Sequence, residues 1–468
     1  MRNSILILLL FLSYGALAQF GPEQLITTEQ ELPRVLSVDD IDGDGFLDVV
    51  CGALAQQELA WFKNIDGYGQ LGPLQPITDP PGDIRGIETA DLDGDGDIDL
   101  AITEVFLDEI YWQENLDGQG TYGPPQIIDA FADAAFDVKA ADVDGDGDLD
   151  LLAALSNDLS AVWYENINGQ GAFGPRKTIF DFLIACRSIF PVDIDNDGDL
   201  DVVANSADQV TISWFENLDG LGNFGQQNIV AGAFSYVNDV YGADIDGDGD
   251  NDIVGVTNDE IGFLSWYENL DGQGAFSERI DITTGVLNAS SIVCADLDND
   301  GDMDVLYGST PDAGAETSEV AWCENLDGMG TFSPKQLIGG QLQFVQEVYA
   351  EDIDGDGDLD VFATSQNNDK VVWYRNNTIL GTDSFHKAGA IKIYPNPGQT
   401  LVFIAGLPST AIEKATVYSS TGSIITELSE AKEGINISHL PNGLYILTLE
   451  SKEGIVFNGK FIKSDNKK

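Results

Sequence analysis

The chain has 468 residues, 80 acidic against 21 basic, and a formal net charge of −59. Such a surface repels nucleic acid and anionic membranes and attracts cations. Because 43% of the residues are hydrophobic, this is a folding chain rather than a solvated acidic tail, long enough for one large closed domain and a smaller companion.

Residues 1–18 read as a signal peptide. Arg2 supplies the positive region, Ile5 to Leu12 the apolar core, and Ala16-Leu17-Ala18 the cleavage signature, which leaves Gln19 first. The apolar run is too short for a membrane span, so no transmembrane segment is expected after cleavage. No cysteine follows the cleavage site to carry a lipid anchor.

Residues 19–376 repeat one nine-residue acidic loop seven times. The loops start at Asp40, Asp91, Asp142, Asp193, Asp244, Asp296 and Asp352, at spacings of 51, 51, 51, 51, 52 and 56 residues. A fixed period of this length signals a propeller or solenoid. Each unit holds four short β runs separated by Asp-Gly and Gly-x-Gly turns, the content of one four-stranded blade. The seventh unit stops at Asn376 without its fourth run. The segment Phe20 to Ile26 matches Tyr122 to Ile128 of a complete unit, and each begins 20 residues before a loop start. The fold expected is therefore all-β: a seven-bladed β-propeller closed by the N-terminal strand.

All seven tryptophans share one repeat position: Trp61, Trp112, Trp163, Trp214, Trp266, Trp322 and Trp373. One large ring per blade fits packing between blades better than a row that stacks on carbohydrate. Cys51, Cys186, Cys294 and Cys323 occupy four different repeat positions, which reads as isolated core substitutions rather than a disulfide framework.

The loops carry the chemistry. Ca²⁺ takes six to eight oxygen ligands in a flexible shell. Positions 1, 3, 5 and 9 offer carboxylates, and position 7 offers its backbone carbonyl. In the first loop the candidate ligands are Asp40, Asp42, Asp44, Phe46 (through its carbonyl) and Asp48. In the second they are Asp91, Asp93, Asp95, Asp97 and Asp99, and in the third Asp142, Asp144, Asp146, Asp148 and Asp150. The fourth offers Asp193, Asp195, Asp197, Asp199 and Asp201, and the fifth Asp244, Asp246, Asp248, Asp250 and Asp252. The sixth offers Asp296, Asp298, Asp300, Asp302 and Asp304, and the seventh Asp352, Asp354, Asp356, Asp358 and Asp360. Position 4 is Gly or Asn and position 6 is always Gly, as a chain wrapped tightly round an ion requires. Position 12 is never acidic, so these are not EF-hands. About seven structural Ca²⁺ ions are expected; Mg²⁺, which keeps more of its water, suits the loops less well.

Residues 377–390 read as a polar linker. From Ile391 the acidic loops vanish, and apolar runs separated by Gly, Pro and Asn predict a small C-terminal β-sandwich over 391–468. Both histidines, His386 and His439, lie outside the propeller, which removes histidine-based acid–base chemistry from it. The reading is a secreted or surface-attached binding or adhesion module for an unknown surface glycan or protein. The alternative is a polysaccharide lyase or hydrolase on a propeller scaffold. Arg34, Arg85 and Arg187 each sit six residues before a loop and are the candidate ligand-binding residues, since arginine forks suit carboxylate and sulfate groups.

The Asp-x-Asp-Gly-Asp-Gly-Asp-x-Asp loops in blades of about 50 residues resemble FG-GAP/VCBS repeats, those of integrin α-chain propellers. The resemblance implies a loop between the first two strands of a blade that binds Ca²⁺ through the positions named above. Tyr394-Pro395-Asn396-Pro397, Leu440-Pro441-Asn442-Gly443-Leu444-Tyr445 and Lys460 to Lys463 resemble the type A C-terminal sorting domain of type IX secretion substrates. That resemblance implies the secretion machinery as a partner and the outer cell surface or the medium as destination.

Overall fold

The computed structural model describes residues 19–377 apart from 56–58, 78–81, 233–235, 258–261 and 311–317. Beyond them it describes residues 387–388, 392–394, 400–405, 412–419, 424–428, 435–438, 440–441, 443–451 and 456–464. The leader at 1–18 and most of the linker lie outside the described residues, as do His386, His439 and Pro395 to Pro397. The chain divides into two compact units, Met1–Ile379 and Leu380–Lys468.

Seven four-stranded antiparallel sheets make up the first unit. Blade 1 runs Pro33–Asp39, Asp48–Ala53, Leu59–Phe62 and Gln75–Pro76 in spatial as in chain order. Blades 2 to 6 repeat that order. In blade 7 the outer place goes to β1, Gln24–Thr27, which pairs antiparallel with Lys370–Tyr374 in the register Gln24 to Trp373 and Leu25 to Val372. Gly21 N–H to the Arg375 carbonyl (2.7 Å) and Asn377 N–H to the Gln19 carbonyl (2.8 Å) extend the seam. The first strands of successive blades touch round the axis, and that of blade 7 touches that of blade 1. The seven-bladed propeller is thus closed by its N-terminal strand.

The core lies between blades. Among the described residues one apolar cluster fills each of the seven junctions; Leu36, Val49, Cys51 and Phe62 meet Ile353, Phe362, Val371 and Trp373 at the closing one. Every tryptophan is at most 6% exposed. Six of the seven rings lie against a glycine of the next blade's turn, as Trp112 does on Gly171 and Trp373 on Gly69. Trp322 instead meets Phe20 edge-on at 6.1 Å. The rings are packing elements, as their recurrence indicates. The four cysteines are free and buried, each within a core junction or strand.

The second unit is also all-β. One sheet orders Lys387–Ala388, Val456–Lys463, Gly443–Ser451, Ile412–Ser419 and Ile424–Leu428; a second orders Lys392–Tyr394, Leu401–Ala405 and Ile435–Asn436. Val402, Val417, Ile435 and Leu447 are fully buried within it. Among the described residues no helix is long and apolar enough to cross a membrane.

Candidate metal centres and the central channel

Each acidic loop joins the first and second strands of its blade. Position 1 organises the wrap: its Oδ2 accepts the N–H of the position 6 glycine in all seven loops at 2.9–3.1 Å. Those glycines have φ of 88–99°, where a Cβ would be strained. Position 4 is also left-handed, and there Asn196 and Asn299 replace glycine, as asparagine tolerates that region. Position 9 opens the second strand and is at most 1% exposed.

The geometry gathers ligand atoms. Asp40, Asp42 and Asp48 bring three carboxylate oxygens within 4.8 Å of one another, as do Asp91, Asp93 and Asp99. So do positions 1, 3 and 5 of the loops starting at Asp142, Asp193 and Asp244. Buried oxygens without a hydrogen-bond partner occur at Asp144, Asp193 and Asp195 (Oδ1), and at Asp42, Asp48, Asp354 and Asp360 in the two loops where Lys63 or Arg375 already stands beside the acids. Buried acceptors of that kind need a cation or donor. An all-oxygen donor set suits a hard divalent ion, so the residues fit Ca²⁺. Without an ion, burial pushes the position 9 carboxyls up, to about 7 at Asp48, Asp99, Asp150, Asp201 and Asp252, about 8 at Asp304 and about 9 at Asp360; crowding by the other loop acids adds to it.

Position 7 side chains point elsewhere. The Asp97, Asp148, Asp199, Asp250 and Asp302 carboxylates lie over the first glycine of their own blade's turn, and the Phe46 ring lies over Gly67 in the same way. A side chain turned this way packs on the turn, and phenylalanine takes that place as readily as aspartate.

Sequence reading missed the residue three after each tryptophan. It is asparagine in all seven units and at most 1% exposed: Asn64, Asn115, Asn166, Asn217, Asn269, Asn325 and Asn376. Its backbone N–H binds the position 9 carboxylate of its own blade at 2.7–2.8 Å. Its Nδ2 binds the position 2 carbonyl of the preceding blade's loop at 2.6–2.9 Å. Asn64 to Ile353 closes this ring of latches. The invariance was visible in the sequence, but a single chain segment does not show which neighbouring blade it reaches.

Asn217→Ala tests the latch. It removes the donor to the Val143 and Leu200 carbonyls and the acceptor for Gly222 N–H. Buried unsatisfied groups cost about 1–3 kcal/mol each, so a loss of about 2–4 kcal/mol in urea unfolding is expected after partial relaxation. A loss under about 1 kcal/mol would mean that water takes over these bonds.

The first strands enclose a channel cavity of about 1210 Å³ lined by Arg34, Arg85 and Arg187 together with Glu88, Asp137, Lys139, Asp239 and Glu347. Arg34 Nε and Arg85 Nε share the Asp83 carboxylate at 2.7 and 2.9 Å. Arg187 has no ion pair among the described residues. Its guanidinium lies 5.0 Å from the centres of both Phe136 and Tyr236, and Arg85 covers Phe136 at 5.1 Å. Burial raises Asp239 to about 6 and Glu347 well above its usual range.

With this geometry in hand, the FG-GAP-like repeat profile matches residues 40–102, 108–153, 142–204, 193–255 and 244–307, more than half of the chain. The chain belongs to the FG-GAP-like repeat family. A secretion system C-terminal sorting domain matches residues 392–464, which marks this FG-GAP-like protein for type IX export to the cell surface or beyond. No curated protein matches. Among solved structures, BBS1N in complex with ARL6DN, soaked with lead, is 11% identical, with 78% of this chain and 98% of that one covered and a TM-score of 0.53. The mercury-soaked form gives 10%, 76%, 96% and 0.52. A functionally unknown protein from Desulfotomaculum acetoxidans DSM 771 gives 12%, 65%, 88% and 0.42. At these identities the first two share the fold alone.

Proposed function

We propose that the propeller is a calcium-stabilised binding module, displayed or released by type IX secretion, that holds an acidic glycan at the arginine end of its channel. Calcium is the scaffold's ion, held by the loop carboxylates. The observation that carries the ligand reading is Arg187, a guanidinium braced by two aromatic rings with its Nε buried and unpaired. A planar fork held that way suits a carboxylate or sulfate. Arg34 and Arg85 are already spoken for by Asp83 and steer more than they grip. Lys139 pairs with Glu88 and Asp137 and so offsets part of the opposing charge in the same channel.

An array of carboxylated, sulfated and neutral glycans, probed with the mature protein in Ca²⁺, tests this. Retention of acidic glycans alone is expected, and Arg187→Ala should weaken it at least tenfold with an unchanged melting temperature. Unaltered binding by Arg187→Ala would move the site elsewhere. New reducing ends or unsaturated sugars in the eluate would replace the binding module with the lyase or hydrolase.

A further inference from the structure

The seven loops fall into two classes. The residue two after the tryptophan is glutamate in five units, Glu114, Glu165, Glu216, Glu268 and Glu324, but Lys63 in the first and Arg375 in the seventh. In the five, the glutamate directly precedes the asparagine whose N–H holds the position 9 carboxylate of the same loop. In the other two, a basic group takes the place between positions 3 and 5. Lys63 Nζ contacts Asp42 and lies 2.7 Å from Asp44 Oδ2. Arg375 Nε lies 2.7 Å from Asp354 Oδ2, and its Nη2 lies 2.9 Å from Asp356 Oδ2. Lys177 reaches Glu165 at 2.6 Å but makes no ion pair with a loop aspartate among the described residues.

The backbone follows the same division. In the five glutamate loops the position 2 N–H binds the position 9 Oδ2 at 3.0–3.1 Å. Asp48 Oδ2 and Asp360 Oδ2 have no hydrogen-bond partner. Positions 2 and 3 form a turn in loops 1 and 7, where the other loops only bend. A glutamate loop carries six formal negative charges with its glutamate; loop 1 nets three and loop 7 nets four. Two groups cannot occupy one place, and the attraction for a divalent ion falls with each charge removed.

We propose that the ions are five, in the loops starting at Asp91, Asp142, Asp193, Asp244 and Asp296, and that Lys63 and Arg375 are built-in cations that close the loops starting at Asp40 and Asp352 without metal. This rests on the calcium reading above and deepens it. The glutamate adds a sixth carboxylate to each of the five, as ligand or through a bound water. The two metal-free loops belong to blades 7 and 1, on either side of the junction where a non-covalent strand closes the ring. The seam is thereby held at any Ca²⁺ concentration, while the other five blades tighten as Ca²⁺ rises.

Calcium stoichiometry of the full mature chain, by native mass spectrometry and by metal analysis after gel filtration, decides this. Five ions are expected, with Lys63→Glu binding six, Lys63→Glu/Arg375→Glu seven, and Glu216→Lys four. Seven ions in the unaltered protein would overturn the proposal and leave the calcium reading standing; no ions would overturn both. If Lys63→Glu does not fold, Lys63→Met serves, since removal of the internal cation should let loop 1 take up an ion. Five ions in both Lys63 variants would mean that the lysine does not exclude the metal.

Discussion

Chelation should lower the melting temperature of the mature chain by on the order of 10 °C at neutral pH, and millimolar Ca²⁺ should restore it. Extracellular calcium modules bind at roughly 10⁻⁴ to 10⁻³ M. At about 1 mM free ion and a dissociation constant near 0.1 mM, linkage contributes roughly 1.4 kcal/mol per site. Five sites give about 7 kcal/mol, comparable to the stability of a whole domain, and a change of that size moves a domain this large by several degrees or more. Asp195→Ala should remove one ion and only its share, because distant sites add.

The pH dependence has a definite sign. In the metal-free protein the position 9 carboxyls have folded pKa values raised to about 7, led by burial. The folded state therefore binds protons that the unfolded state has lost, and metal-free stability falls as pH rises from about 4 to 7. Calcium needs those protons gone, so its contribution grows over the same range. Calorimetry in EDTA should show a higher melting temperature at pH 5 than at pH 7.5, with the largest Ca²⁺-induced rise at pH 7.5. A melt indifferent to Ca²⁺ at both pH values would sink the structural role of the ions.

Much of this molecule is legible in its sequence because repetition does the work of an alignment. Seven loops in frame identify the blade, and the match of Phe20 to Ile26 with Tyr122 to Ile128 identifies the closing strand. The tryptophans are legible as packing because a large ring recurring once per blade has one place to go. What repetition hides is contact between units. Asn115 looks like an ordinary turn residue until its Nδ2 is seen on the Ile41 carbonyl of the blade before. Phe46 sets position 7 apart in the sequence, but only the fold shows that the Asp97 side chain goes over Gly118. Likewise Lys63 and Arg375 stand out only once positions 3 and 5 are known to lie within their reach. Arg34 and Arg85 converge on Asp83 across a blade boundary that no period reveals.

Removal of residues 19–27 should be the most damaging change of all. These residues supply the fourth strand of blade 7, the Phe20 ring against Trp322, and the Glu23 partner of Lys370 at 2.6 Å. They also place Gln19 Nε2 on the Leu297 carbonyl of blade 6 at 2.9 Å. Without them the ring keeps its latches, Asn64 to Ile353 included, but Lys370–Tyr374 becomes an open edge with Val371, Val372 and Trp373 beside it. Unpaired edges of that kind template association between chains. The truncated protein should elute as soluble aggregates, lose its single cooperative melt, and keep the seam weak even in saturating Ca²⁺, since no ion is expected in blades 7 and 1. A synthetic peptide of residues 19–30, added during refolding, should pair with the exposed edge as an added strand and recover the monomer. A truncated chain that stays monomeric and melts within a few degrees of the intact one would show that the asparagine latches close the ring by themselves.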